Sequence, residues 1–206
     1  MELIILIGLQ GAGKSTFYRA HFAGTHVHIS RDNFRHNRNP SRRQATLIEE
    51  ALAAGRSVVV DNTNPTVADR APLIAQAHSH GATVIGYYLA TPLALSLERN
   101  RRRAGKQRVP DVALYATSKR LQPPSYAEGF DRLFYVRTAE DGTAVVEHWI
   151  DDGDIMPAAS MMEHGRSKSC GDPSGAVCHP LGNAAESLLN KVRIESKDSG
   201  DAESAH

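Results

Sequence analysis

Eight consecutive residues near the start of the chain carry its clearest chemistry. Gly8-Leu9-Gln10-Gly11-Ala12-Gly13-Lys14-Ser15 matches G-x-x-x-x-G-K-[ST] in full, and Thr16 follows. Glycines let successive backbone N–H groups turn inward onto phosphate oxygens. A helix opening at the end of the loop adds its positive pole. Lys14 can reach the β- and γ-phosphates of a nucleoside triphosphate, and the Ser15 hydroxyl can bind Mg²⁺. Gly8, Gly11, Ala12, Gly13, Lys14, Ser15 and Thr16 are thus the candidate nucleotide contacts. The motif indicates triphosphate binding and leaves the reaction open.

Three further groups could complete a phosphoryl transfer. Asp32 lies in Ile29-Ser30-Arg31-Asp32-Asn33-Phe34-Arg35, just past a short apolar run. A carboxylate there can orient an acceptor hydroxyl and take its proton. The same residue could instead cap a helix. Arg35, three residues on, can hold an acceptor phosphate or a transferred phosphoryl oxygen. Asp61-Asn62-Thr63-Asn64 follows Val58-Val59-Val60. Asp61 can accept water bonds around Mg²⁺, as Asp32 also can, or it can pin Arg35 by an ion pair. Asn62 and Thr63 offer acceptor contacts, and Asn64 reads as a helix cap. Residues 99–108 hold Arg99, Arg101, Arg102, Arg103, Lys106 and Arg108. A short basic loop between two helices can close over a triphosphate and bring an arginine to the developing charge. Spacing does not decide which arginine does so.

These groups need a frame that sets strand ends beside one another. Residues 2–7 read as a buried strand, with further strands at 26–30, 57–60, 83–89, 133–136 and 144–150. Between them lie helical stretches at 16–22 and 41–54, one opening at Asn64-Pro65, one opening at Thr91-Pro92, and one after Pro110. Gly55 and Gly81 stop two of them. Strands alternating with helices predict an α/β fold with a mainly parallel sheet. Strands that are apolar throughout predict helices on both faces. Asp32 then falls at the carboxyl edge of the sheet, facing the γ-phosphate. Tyr126, Phe130, Phe134 and Tyr135 read as core rather than base-stacking platforms.

Composition narrows the class. The chain has 206 residues, a net charge of +1 and only two cysteines. No apolar stretch is long enough to span a bilayer, and the start lacks the flanks of a signal peptide. A cytoplasmic protein with no membrane partner is the expectation. Residues 1–150 hold 19 basic against 13 acidic side chains; residues 151–206 hold 5 against 10. The first stretch reads as one kinase-type domain. The second is acidic and rich in Gly and Ser, has no aromatic residue, and reads as a disordered tail. His164, Cys170, Cys178 and His179 lack the spacing of a zinc site. No N-K-x-D motif points to a GTPase.

Taken together the motifs resemble the P-loop 5′-polynucleotide kinase domain family, which includes phage and mammalian end-healing kinases and AAA_33-type ATP-binding proteins. The matching pieces are residues 8–16, Ser30-Arg31-Asp32 with Arg35, Asp61-Asn62-Thr63-Asn64 with Pro65, and Arg99-Asn100 followed by Arg103, Val109 and Pro110. They come in the family's order over about residues 1–135. The resemblance implies a P-loop kinase-type three-layer α/β sandwich with a short basic lid, using ATP and Mg²⁺. It implies Asp32 as general base for a 5′-hydroxyl and Arg35 on the acceptor phosphate. It makes Asp61 the support of the acceptor arginine. Arg103 becomes the lid arginine on the donor phosphates, with Arg99 beside it. A nucleic-acid 5′ end is the implied substrate. A small-molecule or tRNA-linked metabolite kinase of the same fold is one alternative; an ATP-binding regulatory module without an acceptor is another. Asp152-Gly153-Asp154 lacks the threonine of a D-x-D-x-T phosphatase nucleophile, so kinase activity without phosphatase activity is expected.

Overall fold

The sheet is built around two runs that are β-branched or leucine at every position, residues 3–7 and 58–60. The computed structural model describes residues 1–34, 37–139 and 143–150. Arg35, the tail over 151–206, the Asp152–Asp154 turn and the late His and Cys residues lie outside the described residues. The strands are β1 (Glu2–Ile7), β2 (Val27–Ile29), β3 (Val58–Asp61), β4 (Thr83–Leu89), β5 (Arg132–Thr138) and β6 (Ala144–His148). They form one sheet in the order β2-β3-β1-β4-β5-β6, parallel except for the β5–β6 pair.

Side chains of β1 alternate between two cores. Leu3, Ile5 and Ile7 pack with Ile48 and Leu52 of α2 (Pro40–Ala53) and with Leu73, Ile74 and Ala77 of α3 (Val67–Ser79). Ile4 and Leu6 pack on the other face with Phe17 of α1 (Lys14–His21). Both faces are covered, which is why the central strands read as continuous apolar runs. This is the expected three-layer α/β arrangement. Two more helices, α4 (Leu93–Arg101) and α5 (Asp111–Arg120), pack on each other. The basic loop lies between them. No helix of the described residues is long and apolar enough to cross a membrane.

Several helix starts differ from expectation. Helix α1 begins at Lys14, two residues early, because Gly13 already takes the left-handed capping conformation, φ 99°. Helix α2 is capped by the Asn39 side chain with Pro40 in its first turn. Helix α3 is capped by Thr66 in a reciprocal capping box with Asp69, and not by Asn64. Thr91 does not cap α4 either, for its hydroxyl donates to Ala12 O at 3.1 Å. In both corrected cases a polar side chain before a proline serves the phosphate loop or its strand instead. Phe130 is buried and Phe134 and Tyr135 are partly so, but Tyr126 is surface-exposed.

Candidate active site

The phosphate loop leaves β1 at the centre of the sheet, between β3 and β4. The chain runs to one side of β1 for β2 and β3, then to the other for β4 and β5, so a crevice opens at the carboxyl ends of the strands. The loop is held tightly from three sides. Gly8 N donates to Thr63 O at 3.1 Å, and Asn64 Nδ2 donates to Leu6 O at 2.8 Å. A Cβ on Gly11 would stand 2.7 Å from Ser96 O of α4, so that position accepts only glycine.

Lys14 is buried, and its Nζ donates to the carbonyls of Gly8 at 2.9 Å and Leu9 at 2.7 Å. Burial pulls its pKa down to about 8; the charges of Asp61 and Asp32 oppose this, and that of Arg103 adds to it. Ser15 Oγ donates to Asp61 Oδ2 at 2.6 Å. The same carboxylate oxygen meets His28 Nε2 at 3.1 Å, and the His28 ring stacks on Tyr18 with centroids 4.1 Å apart. Burial pushes the Asp61 carboxyl up, but the bonds from His28 and Ser15 and the charge of Lys14 outweigh it, so Asp61 sits below the usual carboxylate range. A hydroxyl and an ionised carboxylate side by side are the hard oxygen donors that Mg²⁺ takes, together with water and phosphate oxygens. The donor set therefore fits that ion. No group of three His, Cys, Asp or Glu forms a protein-only metal cage among the described residues.

Asp32 stands in a single 3-10 turn, Arg31–Phe34, at the carboxyl end of β2. It is exposed to solvent, and it does not cap α2, whose cap is Asn39. The turn is tied to the β3 loop. Arg31 N donates to Asn62 Oδ1 at 3.0 Å, while Gln44 Oε1 accepts from Arg31 Nε at 3.1 Å and from Asn62 Nδ2 at 2.8 Å. Asn62 thus binds the neighbouring turn, and Thr63 gives its carbonyl to the phosphate loop. Gln44, buried on α2, is a residue the sequence reading missed; only its place on the otherwise apolar face of α2 could have marked it. His28 was missed as well, because a histidine inside a short strand carries no motif.

Beyond the loop, on the β4–β5 side, lies a cleft of about 600 Å³ lined by Gly13, Thr16, Phe17, His21, Arg99 and Arg103, among others. Arg99 Nη1 comes within 3.9 Å of the Cβ position of Gly13. Both expected lid arginines therefore face the phosphate loop. Arg101 and Arg102 instead pair with Asp111 and Glu98 at the surface. The buried Asn100 fastens the loop between them: its Oδ1 accepts from Val109 N at 3.0 Å and its Nδ2 donates to Val109 O at 2.6 Å.

A family profile described as an AAA domain, AAA_33, matches residues 3–124. The chain is 31% identical over 142 residues to an Acanthamoeba polyphaga mimivirus protein named as a bifunctional polynucleotide phosphatase/kinase. It is 27% identical over 138 residues to the bifunctional polynucleotide phosphatase/kinase of Schizosaccharomyces pombe. Each match covers 64% of this chain and 32% of the relative, so the chain spans about a third of the length of these curated relatives. Among solved structures, a fungal RNA kinase matches with a TM-score of 0.52 at 16% identity, over 68% of this chain and 76% of that one. At that identity the likeness is one of fold.

Proposed function

The chain belongs to the AAA_33 family, and on that premise we propose that it is a kinase that moves the γ-phosphate of ATP to the 5′-hydroxyl of a polynucleotide. The observation that carries this reading is the buried Lys14 and the Ser15–Asp61 pair at the end of the phosphate loop, with Arg99 and Arg103 in the cleft beside it and Asp32 in the turn at the carboxyl end of β2. The donor enters from the Arg99–Arg103 cleft and the acceptor from the opposite, β2 side. Asp32 orients the acceptor hydroxyl and takes its proton as the new O–P bond forms and the bond from the γ-phosphorus to the leaving ADP breaks. Lys14, Arg99 and Arg103 offset charge on the donor phosphates. Ser15 and Asp61 would hold Mg²⁺, which would supply neutralisation of the donor's phosphate charge. Gln44 and Asn62 fix the Asp32 turn against the β3 loop.

The test is label transfer from γ-labelled ATP with Mg²⁺ to a panel of acceptors. The panel holds 5′-hydroxyl DNA and RNA oligonucleotides, nucleoside 3′-monophosphates, tRNA and small hydroxylated metabolites. The expected outcome is label at a 5′ end. In Asp32→Asn the rate should fall by roughly 10²–10⁴ while ATP binding is retained. Full activity in Asp32→Asn would remove the assigned base, and label found only on a metabolite would remove the polynucleotide.

A further inference from the structure

We propose that Arg38, Arg42 and Arg43, at the start of α2, form the surface that grips the phosphates of the acceptor strand beyond its terminal nucleotide. This rests on the polynucleotide reading above and deepens it by naming where the rest of the strand lies. The three arginines line one open concavity of about 530 Å³ together with Asn37, Asn39 and Thr46. All three are exposed, and none meets a carboxylate among the described residues. Four arginines elsewhere on the surface do: Arg101, Arg102, Arg120 and Arg137 face Asp111, Glu98, Asp69 and Glu147. Arg19, Arg56, Arg108 and Arg132 are exposed without such a partner among the described residues, but only Arg38, Arg42 and Arg43 share one concavity. The excess positive charge of residues 1–150 is therefore uncompensated here. The concavity sits at the N-terminal end of a 14-residue helix, whose pole has the same sign.

Placement decides what the charge faces. The donor cleft opens on the β4–β5 side of the phosphate loop. Asp32 stands on the β2 side, and the arginine surface lies further along the chain from it. The two are held in register. Gln44, on the same helix as Arg42 and Arg43, accepts hydrogen bonds from the Arg31 side chain and from Asn62. The cap bond from Arg42 N to Asn39 Oδ1, 3.0 Å, fixes the first turn of that helix. A small hydroxylated acceptor with one anionic group would leave at least two of the three arginines without a partner. A strand repeats a phosphate at every nucleotide, and guanidinium groups bind phosphate oxygens with two parallel bonds. An extended polyanion is the ligand that uses all three.

The experiment measures acceptor KM for a 12-nucleotide 5′-hydroxyl strand and for a nucleoside 3′-monophosphate, across a salt series. The wild type is set against the triple Arg38→Ala, Arg42→Ala, Arg43→Ala variant. Arg56→Ala, an exposed arginine beyond the other end of α2, controls for net charge. In the triple variant KM for the 12-mer should rise by roughly tenfold, as expected for a few exposed charge contacts. The slope of log KM against log salt should fall by roughly 2, at about 0.7 per single-strand phosphate contact. KM for the monophosphate should not move, and thermal unfolding checks that the fold is kept. Equal KM values for the 12-mer in wild type and triple variant, or equal losses for strand and monophosphate, would overturn the inference and leave the polynucleotide reading standing. No label on any oligonucleotide by the wild type would overturn that reading, and the inference with it.

Discussion

Asp61 has two neighbours on one oxygen, and this has consequences for how the site would hold a divalent ion. Ser15 and His28 both bond Oδ2, and His28 is in turn clamped by the Tyr18 ring. Removing the imidazole lets the carboxylate rotate away from the serine, and losing a partner of this kind typically costs 10–100-fold in metal affinity. His28→Ala should therefore raise the Mg²⁺ concentration for half-maximal rate by about tenfold or more. His28→Gln, which keeps a donor, should recover part of it. A Mg²⁺ titration of the rate, and of MgATP binding, checks this; an unchanged midpoint in His28→Ala would refute it. The sequence made Lys14, Ser15 and Asp61 legible because each sits in a motif whose spacing has a mechanical reason. His28 and Gln44 were not legible, because their roles come from strand order and helix docking, which bring residues 28 and 61, or 31, 44 and 62, together only in the folded chain.

At the scale of elements, the segment from Asn64 to Glu128 is organised around a buried cation rather than around apolar contacts alone. Arg70 is fully buried on α3, bonded bidentately to Glu128 with both distances 2.7 Å. Its third nitrogen donates to the carbonyls of Asn64 and Gln122, both at 3.1 Å. Asn64 itself holds a left-handed φ of 43° and bonds Leu6 O. Arg70 thus anchors the loop that supports Gly8. Breaking one partner of a buried pair leaves a stranded charge, which costs roughly 3–5 kcal/mol, whereas replacing both by apolar groups is often neutral. Arg70→Met should destabilise by that amount in urea unfolding, and Arg70→Met with Glu128→Leu should regain most of it. A double variant as unstable as the single one would show that the bonds to the two carbonyls, not the ion pair, carry the effect. Strands and most helices were readable from apolar runs and Gly or Pro punctuation. The starts of α3 and α4 were not, because Asn64 and Thr91 had the right residue type but their side chains were taken by the phosphate loop and the strand beneath it. A tertiary bond competed with a local cap, and the sequence alone shows only the local candidate.

For the whole molecule, the phosphate loop leaves an imprint on stability against pH. The fold holds Lys14 where burial lowers its pKa from 10.5 to about 8. Between those two values the unfolded chain binds more protons at this group than the folded one, so stability rises with pH across that window. Below about pH 8 both forms are protonated and the cost is at its full size, of order 3 kcal/mol for a shift of this size. Tyr87 acts in the opposite sense. Burial raises its phenol from 10.0 to about 12, so the folded state keeps a proton that the unfolded chain loses, and stability falls as pH climbs from 10 to 12. Asp61, held low, contributes stability that is present above the ordinary carboxylate range and lost as pH falls through its own lowered value. From Lys14 and Tyr87 together, stability should therefore climb above about pH 8 and turn over near pH 10, on the alkaline side of neutrality. Lys14→Met should be more stable than wild type at pH 7, should lose the rise above pH 8, and should transfer no phosphate. Tm measured from pH 6 to 11 for both proteins decides it. A wild-type curve flat from pH 8 to 10, or a Lys14→Met protein less stable at pH 7, would mean that the carbonyls of Gly8 and Leu9 hold the ammonium group well enough to cancel its burial. The phosphate loop would then be a relaxed structure before any nucleotide arrives. The expected curve means instead that the loop carries a buried charge whose natural partner is phosphate, so nucleotide binding and folding stability rise together.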